Sequence, residues 1–127
     1  MILGKLVDGR VTLPISFCLG EDTALTIEFV VDTGFNSYLT LPPEAVAAMR
    51  LPVESMVTAR LADGSESQIP IHLAKIRWDG REQFVTVLAT GTKPLLGTAL
   101  LQDFRLTAEF IDDGVVKLEK IISSRSN

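Results

Sequence analysis

The chain has 127 residues, 46% of them hydrophobic, with a mean hydropathy of +0.29, a formal charge of −4 and a pI near 4.9. That length fits one domain with a substantial core, and no uninterrupted apolar stretch is long enough to cross a bilayer. Lys and Arg form no cluster that could track phosphates, which argues against nucleic-acid binding, and one cysteine with one histidine makes neither an internal disulfide nor an ordinary zinc site.

The first ten residues, Met1 to Arg10, lack the basic-then-apolar order of a signal peptide, so a cytoplasmic protein is expected, without membrane contact. Asp8-Gly9 is the first of four Asp-Gly pairs; the others are Asp63-Gly64, Asp79-Gly80 and Asp113-Gly114. Both residue types accept the positive φ of a type I′ turn, so the chain reads as consecutive, mostly antiparallel hairpins. Cys18 lies in the apolar run Ile15–Leu19 and reads as a buried filler. Leu25, Ile27, Phe29 and Val31 alternate with Thr26 and Glu28, the pattern of a strand with one buried face. Val30 breaks the alternation, which predicts burial on both faces toward Asp32.

Asp32-Thr33-Gly34 ends that run and is the most informative feature of the chain. A carboxylate beside a hydrophobic strand is costly unless it is hydrogen-bonded or does chemistry. The glycine lets backbone approach closely, and the threonine hydroxyl can tie the loop down. An aspartate so placed could share a proton with a second one and activate a water. Taken alone, the tripeptide also reads as an ordinary turn.

Pro42 to Met49 has prolines and an acid in its first turn and alanines after them, which predicts a short helix stopped by Pro52. His72 falls in an expected strand with no serine elbow nearby, which disfavours a Ser-His-Asp triad. No P-loop or G-x-G-x-x-G is present, and no cofactor or metal is expected. Thr98 to Phe104 predicts a second helix, capped by Thr98, with Leu100, Leu101 and Phe104 toward the core. Leu106, Ala108 and Phe110 then alternate with Thr107 and Glu109, and the tail Ser123–Asn127 is polar and expected to fray.

In this order the elements resemble a retropepsin-like aspartic protease of the single-lobed bacterial type (clan AA), from about Val11 to Ile111. A strand runs into Asp32-Thr33-Gly34, followed by a short strand and helix from Tyr38 to Met49. A hairpin from Met56 to Ile71, with polar tip Ala62-Asp63-Gly64-Ser65, stands where such proteases carry their flap. A second hairpin turns at Asp79-Gly80. Leu95-Leu96-Gly97 occupies the place of the family's hydrophobic-hydrophobic-glycine motif, and the strand Leu106 to Phe110 closes the unit.

The resemblance implies an all-β, closed acid-protease barrel with two short helices, one domain over residues 1–122 and a polar tail over 123–127. Three departures stand out. Phe35 replaces the alanine common in viral members. Thr98-Ala99 and Asn36 replace both halves of an ion pair common there, which points to a different local solution. The chain also continues past Phe110 into an expected hairpin, Ile111 to Ile122, where viral members end and use their termini to dimerise.

One chain offers one such aspartate, so the resemblance implies a homodimer that brings two Asp32 carboxylates together to hydrolyse a peptide or protein. The implied catalytic loop is Asp32, Thr33 and Gly34. The implied flap and walls around an extended peptide are Leu61, Ala62, Asp63, Gly64, Ser65, Phe35, Leu95, Leu96 and Gly97. The alternative is a catalytically silent dimeric domain of the same fold that binds peptides or regulates.

Overall fold

In the computed structural model, which describes residues 1–122, the elements run β1 (Ile2–Val7), β2 (Arg10–Gly20), β3 (Thr23–Val31), β4 (Leu39–Leu41), α1 (Pro43–Met49), β5 (Val53–Arg60), β6 (Glu66–Trp78), β7 (Arg81–Ala89), β8 (Leu95–Leu96), β9 (Phe104–Ala108) and β10 (Val116–Lys120). The expected tail, Ser123–Asn127, lies outside the described residues. The strands form one mixed sheet in the order β5-β6-β7-β4-β8-β3-β2-β1-β10-β9. A further pairing joins β6 to β2 through Ser16↔Arg77 and Phe17↔Ile76. Neighbours pair antiparallel except β3 with β8 and β4 with β7, which run parallel. Among the described residues no helix is long and apolar enough to cross a membrane.

Two Asp-Gly pairs form the predicted turns. Asp8 and Gly9 have φ of 50° and 75° between β1 and β2, and Asp79 and Gly80 have 50° and 78° between β6 and β7. This double left-handed geometry matches the twist of the flanking strands. At Asp63-Gly64 only the glycine is left-handed, and the five-residue tip Leu61–Ser65 closes through Leu61 N–H to Ser65 O at 2.7 Å.

The core follows from strand alternation. Leu13, Ile15 and Phe17 of β2 are fully buried with Phe29 of β3, Leu39 and Leu41 of β4, Ile76, Val87, Leu96 and Leu118. The Phe17 and Phe29 rings lie 5.9 Å apart, and truncating either to alanine would cost about 3–5 kcal/mol. The same alternation corrects the reading of Cys18. It points to the face opposite Phe17 and is only half-buried. In β3 the outer half also departs from expectation: Leu25 is exposed and burial begins near Ile27, while Val30 and Val31 are both half-buried.

Helix α1 forms as expected, with Pro42 at its N-cap and Arg50 in left-handed conformation at its C-cap. The second expected helix does not form. Thr98–Leu100 make a single 3-10 turn whose N-cap is Gly97, with no side-chain cap. Asp103, at φ 71°, reverses the chain, and Phe104 already belongs to β9. The expected hairpin Ile111–Ile122 is also corrected. Val116 and Leu118 are buried, so β10 pairs with β9 (Leu106↔Leu118) and with β1 (Ile2↔Leu118), while 109–115 form the loop. His72 is structural: its Nδ1 lies 2.9 Å from Leu51 O, a bond that ties the exit of α1 to β6.

Candidate active site

Asp32 directly follows β3, and its position is set by β8. Val30 and Val31 pair in parallel with Leu95 and Leu96. Val30 N–H donates to Pro94 O and Asp32 N–H to Leu96 O, each at 2.9 Å. On its other side β8 pairs antiparallel with β4, through Leu39↔Leu96 and Thr40↔Leu95. The loop from Asp32 to Tyr38 therefore leaves on one side of β8, returns on the other, and wraps the segment that follows Leu96.

That wrapping is held by backbone. Gly97 N–H donates to Tyr38 O at 2.8 Å, Thr98 N–H to Phe35 O at 2.8 Å and Ala99 N–H to Ser37 O at 3.2 Å. The Thr98 hydroxyl adds a long bond to Phe35 O, 3.4 Å. These bonds join the two segments in which the sequence lacks the ion pair of the viral proteins. Gly97 has no room for a side chain: a Cβ there would stand 2.6 Å from Phe35 Cδ2 and collide with the Ser37 carbonyl.

The Asp32 side chain is half-buried. Its Oδ1 accepts the Gly34 N–H at 2.9 Å, and its carbonyl accepts the Phe35 N–H at 3.1 Å. The carboxylate is thus oriented by the turn that follows it. Thr33 and Gly34 are exposed.

Asp32 and Thr33 line a cavity of about 390 Å³ with Val30, Val31, Leu95, Leu106, Phe110, Gly9 of the β1–β2 turn and Arg10 and Val11 at the start of β2. Its walls are largely apolar, and its ionisable groups are Asp32 and Arg10. The β2–β3 register Thr12↔Val30 sets Arg10, two residues earlier, level with Asp32, two residues later. A carboxylate at the edge of an apolar hollow is suited to proton transfer with a substrate whose side chains fill the hollow.

Of the sequence-predicted site residues, the cavity brings together Asp32, Thr33 and Leu95. Gly34 orients the carboxylate. Leu96 is fully buried behind the loop, and Phe35 packs against Gly97. Leu61, Ala62, Asp63, Gly64 and Ser65 cap the β5–β6 hairpin and do not line this cavity. Met56 and Leu61 of that hairpin are about half exposed, at 52% and 48%, so it carries apolar surface into solvent. At its tip, Asp63 Oδ1 accepts the Ser65 hydroxyl at 2.5 Å and the Ser65 N–H at 2.9 Å, which together hold the Asp63 carboxyl below the usual carboxylate range.

Sequence reasoning missed Arg10 and Val11. Their level with Asp32 depends on the β2–β3 turn, at Glu21-Asp22, which carries no Asp-Gly signal. The sequence set Leu106 and Phe110 on one strand, but β9 ends at Ala108 and Phe110 lies in the loop that follows; the pairing of β10 with both β9 and β1 is the long-range feature that the sequence did not announce.

No protein-family model matches this sequence, and no curated protein does. Among solved structures, the fold is similar to that in the crystal structure of a retropepsin-like aspartic protease from Rickettsia conorii. The TM-score is 0.54 at 16% identity, covering 96% of this chain and 91% of that one. The chain is therefore mostly β, with a retropepsin-like fold.

Proposed function

We propose that this protein is an aspartic endopeptidase that works as a homodimer, with the Asp32 carboxylates of two protomers meeting at a twofold axis. The observation that carries the reading is the placement of Asp32: a half-buried carboxylate, fixed by the Leu96 carbonyl and the Gly34 amide, at the edge of an apolar cavity. The retropepsin-like fold supports it. The β6–β2 pairing favours reading the sheet as a closed acid-protease barrel.

Two carboxylates at hydrogen-bond distance repel, so the pair holds one proton between them. In the proposed reaction a water sits between them. The ionised Asp32 takes a proton from this water as its oxygen attacks the peptide carbonyl carbon. The protonated Asp32 of the partner gives its proton to the carbonyl oxygen, which yields a neutral diol. The diol then returns a proton to the partner's carboxylate, the first carboxyl protonates the amine nitrogen, and the C–N bond breaks. In this dimer Thr33, exposed beside Asp32, would hydrogen-bond to the opposite loop. Leu95 and Val30 take substrate side chains, and the Leu61–Ser65 tip closes over an extended peptide that lies like an added strand.

The test is cleavage of a peptide library by wild type and by Asp32→Asn. The reading expects cleavage by the first and none by the second. Cleavage that persists in purified Asp32→Asn contradicts it. Saturable peptide binding by wild type without turnover, under all conditions that preserve the dimer, would assign the silent alternative.

A further inference from the structure

A second cavity, of about 380 Å³, opens at the turn end of the β6–β7 hairpin and shares no lining residue with the Asp32 cavity. Its position follows from a break in strand patterning. In β7, Val85, Val87 and Ala89 are buried, so the odd-numbered residues form the inner row. That row continues into Gln83 and Arg81, which pair with the buried Ile76 and Trp78 of β6. Directly opposed residues share a face of the sheet. The apolar Phe84 lies on the other face and is 65% exposed. An inner row that ends in a glutamine and an arginine fronts a hollow rather than packed core, and both residues line this cavity.

The floor of the cavity is apolar. Trp78 and Leu100 are both buried. The Phe104 ring stands edge-on to Trp78, with centroids 5.9 Å apart, and Lys120 Nζ lies 5.1 Å from the Phe104 ring centre. The wall also holds an unmet donor. The Trp78 indole N–H is buried and has no hydrogen-bond partner among the described residues. Such a group is costly until an acceptor reaches it. Arg81 and Lys120 make no ion pair among the described residues. The acid in the lining is Asp79, whose Oδ1 lies 3.8 Å from the amino terminus.

We infer that this cavity binds a small aromatic monocarboxylate, with its ring on Trp78, Leu100 and Phe104 and its carboxylate between Arg81 and Lys120. The inference does not depend on the homodimeric reading of Asp32. The planar guanidinium of Arg81 matches a carboxylate. Arg81 and Lys120 against Asp79 leave one positive charge, which a single carboxylate balances and a phosphate dianion exceeds. Ligand cavities run from about 300 to 1,000 Å³, so this one suits a single ring with a short acidic arm. The exposed Gln83 and Gln102 side chains can change rotamer to let a carboxylate oxygen reach the Trp78 N–H.

Trp78 is the single tryptophan of the chain, so its fluorescence and its indole N–H peak in a heteronuclear NMR spectrum report on this cavity. Titration with 3-phenylpropionate should move both along one saturable curve, with a Kd of about 1 mM or tighter. 3-Phenylpropionamide lacks the charge, and acetate and inorganic phosphate lack the ring; each should bind about tenfold more weakly or worse. Arg81→Gln combined with Lys120→Gln should weaken binding by about tenfold at an unchanged circular dichroism spectrum. Arg77→Gln, on the outer face of the same hairpin, and Asp32→Asn should both bind the acid as wild type does. The inference is overturned by no saturable shift up to about 20 mM, by equal binding of the amide, by tighter binding of phosphate, or by unchanged binding in the folded double variant. Loss of binding in Asp32→Asn would assign the acid to the Asp32 cavity and overturn it as well. If the double variant does not fold, the ligand series with wild type decides. Failure of this site leaves the paired-acid reading standing, because that reading is tested by cleavage.

Discussion

The backbone amide of Asp32 donates to the carbonyl of Leu96 across 2.9 Å. One bond thus joins the Asp-Thr-Gly loop to the Leu-Leu-Gly segment far along the chain. Gly97, the next residue, is enclosed by the same loop, with the Ser37 and Phe35 carbonyls where a Cβ would stand. Gly97→Ala should therefore destabilise the protein by about 1–3 kcal/mol through overpacking. Urea unfolding should show a lower midpoint at unchanged m-value. A variant as stable as wild type would mean that the loop yields freely.

Leu95 and Leu96 are adjacent but face different surroundings. Leu96 is fully buried, and Leu95 lines the Asp32 cavity. Leu96→Ala should cost about 2–5 kcal/mol of stability. Leu95→Ala should cost less and chiefly raise KM for substrates with large side chains. Thermal unfolding together with steady-state cleavage separates the two; equal effects of both variants on stability would contradict the distinction.

The tip of the β5–β6 hairpin carries its own pH dependence. Asp63 is held below the usual carboxylate range by the Ser65 hydroxyl first and then by the Ser65 amide. A carboxyl whose folded-state pKa is depressed stabilises its turn above its unfolded value and loses that contribution as pH falls through the folded one. The tip should therefore stay closed at ordinary acidic pH and loosen only below the usual carboxylate range. An NMR titration of the Ser65 amide shift reads this directly. A transition at or above the usual range would contradict it.

For the proposed chemistry, one carboxylate must be charged while the other keeps its proton. Cleavage should therefore follow a bell against pH, favoured in mild acid, with both limbs belonging to the pair. The measurement is kcat/KM for a cleavable peptide, with the dimer content checked at each point. A rate that rises steadily through neutral to alkaline pH, with the dimer intact, would exclude the shared proton.

Local chemistry was the legible part of this sequence. The Asp8-Gly9 and Asp79-Gly80 turns and the start of α1 follow from residues whose local preferences agree with the fold. Long-range pairing was not legible. Nothing local in Val116–Lys120 states that Leu118 packs opposite both Ile2 and Leu106, so β10 read as half of its own hairpin. Thr98 looked like a helix cap, but Gly97 stands at the N-cap of a single 3-10 turn, and Asp103, at φ 71°, turns the chain into β9 before a second turn can form. Within the site, Asp32 was readable from its motif, whereas Arg10 reached it through a strand register that no turn residue announced.

The central claim is that two Asp32 carboxylates act together, and mixing wild type with Asp32→Asn tests it most directly. The wild-type amount is held fixed, an equal amount of Asp32→Asn is added, and the subunits are allowed to re-equilibrate before cleavage is measured. Random pairing places half of the wild-type subunits in mixed dimers that lack one acid, so the account predicts that activity falls to about half. Activity unchanged by the added variant, with mixed dimers demonstrated in solution, would mean that one Asp32 suffices, and would contradict the paired-acid account.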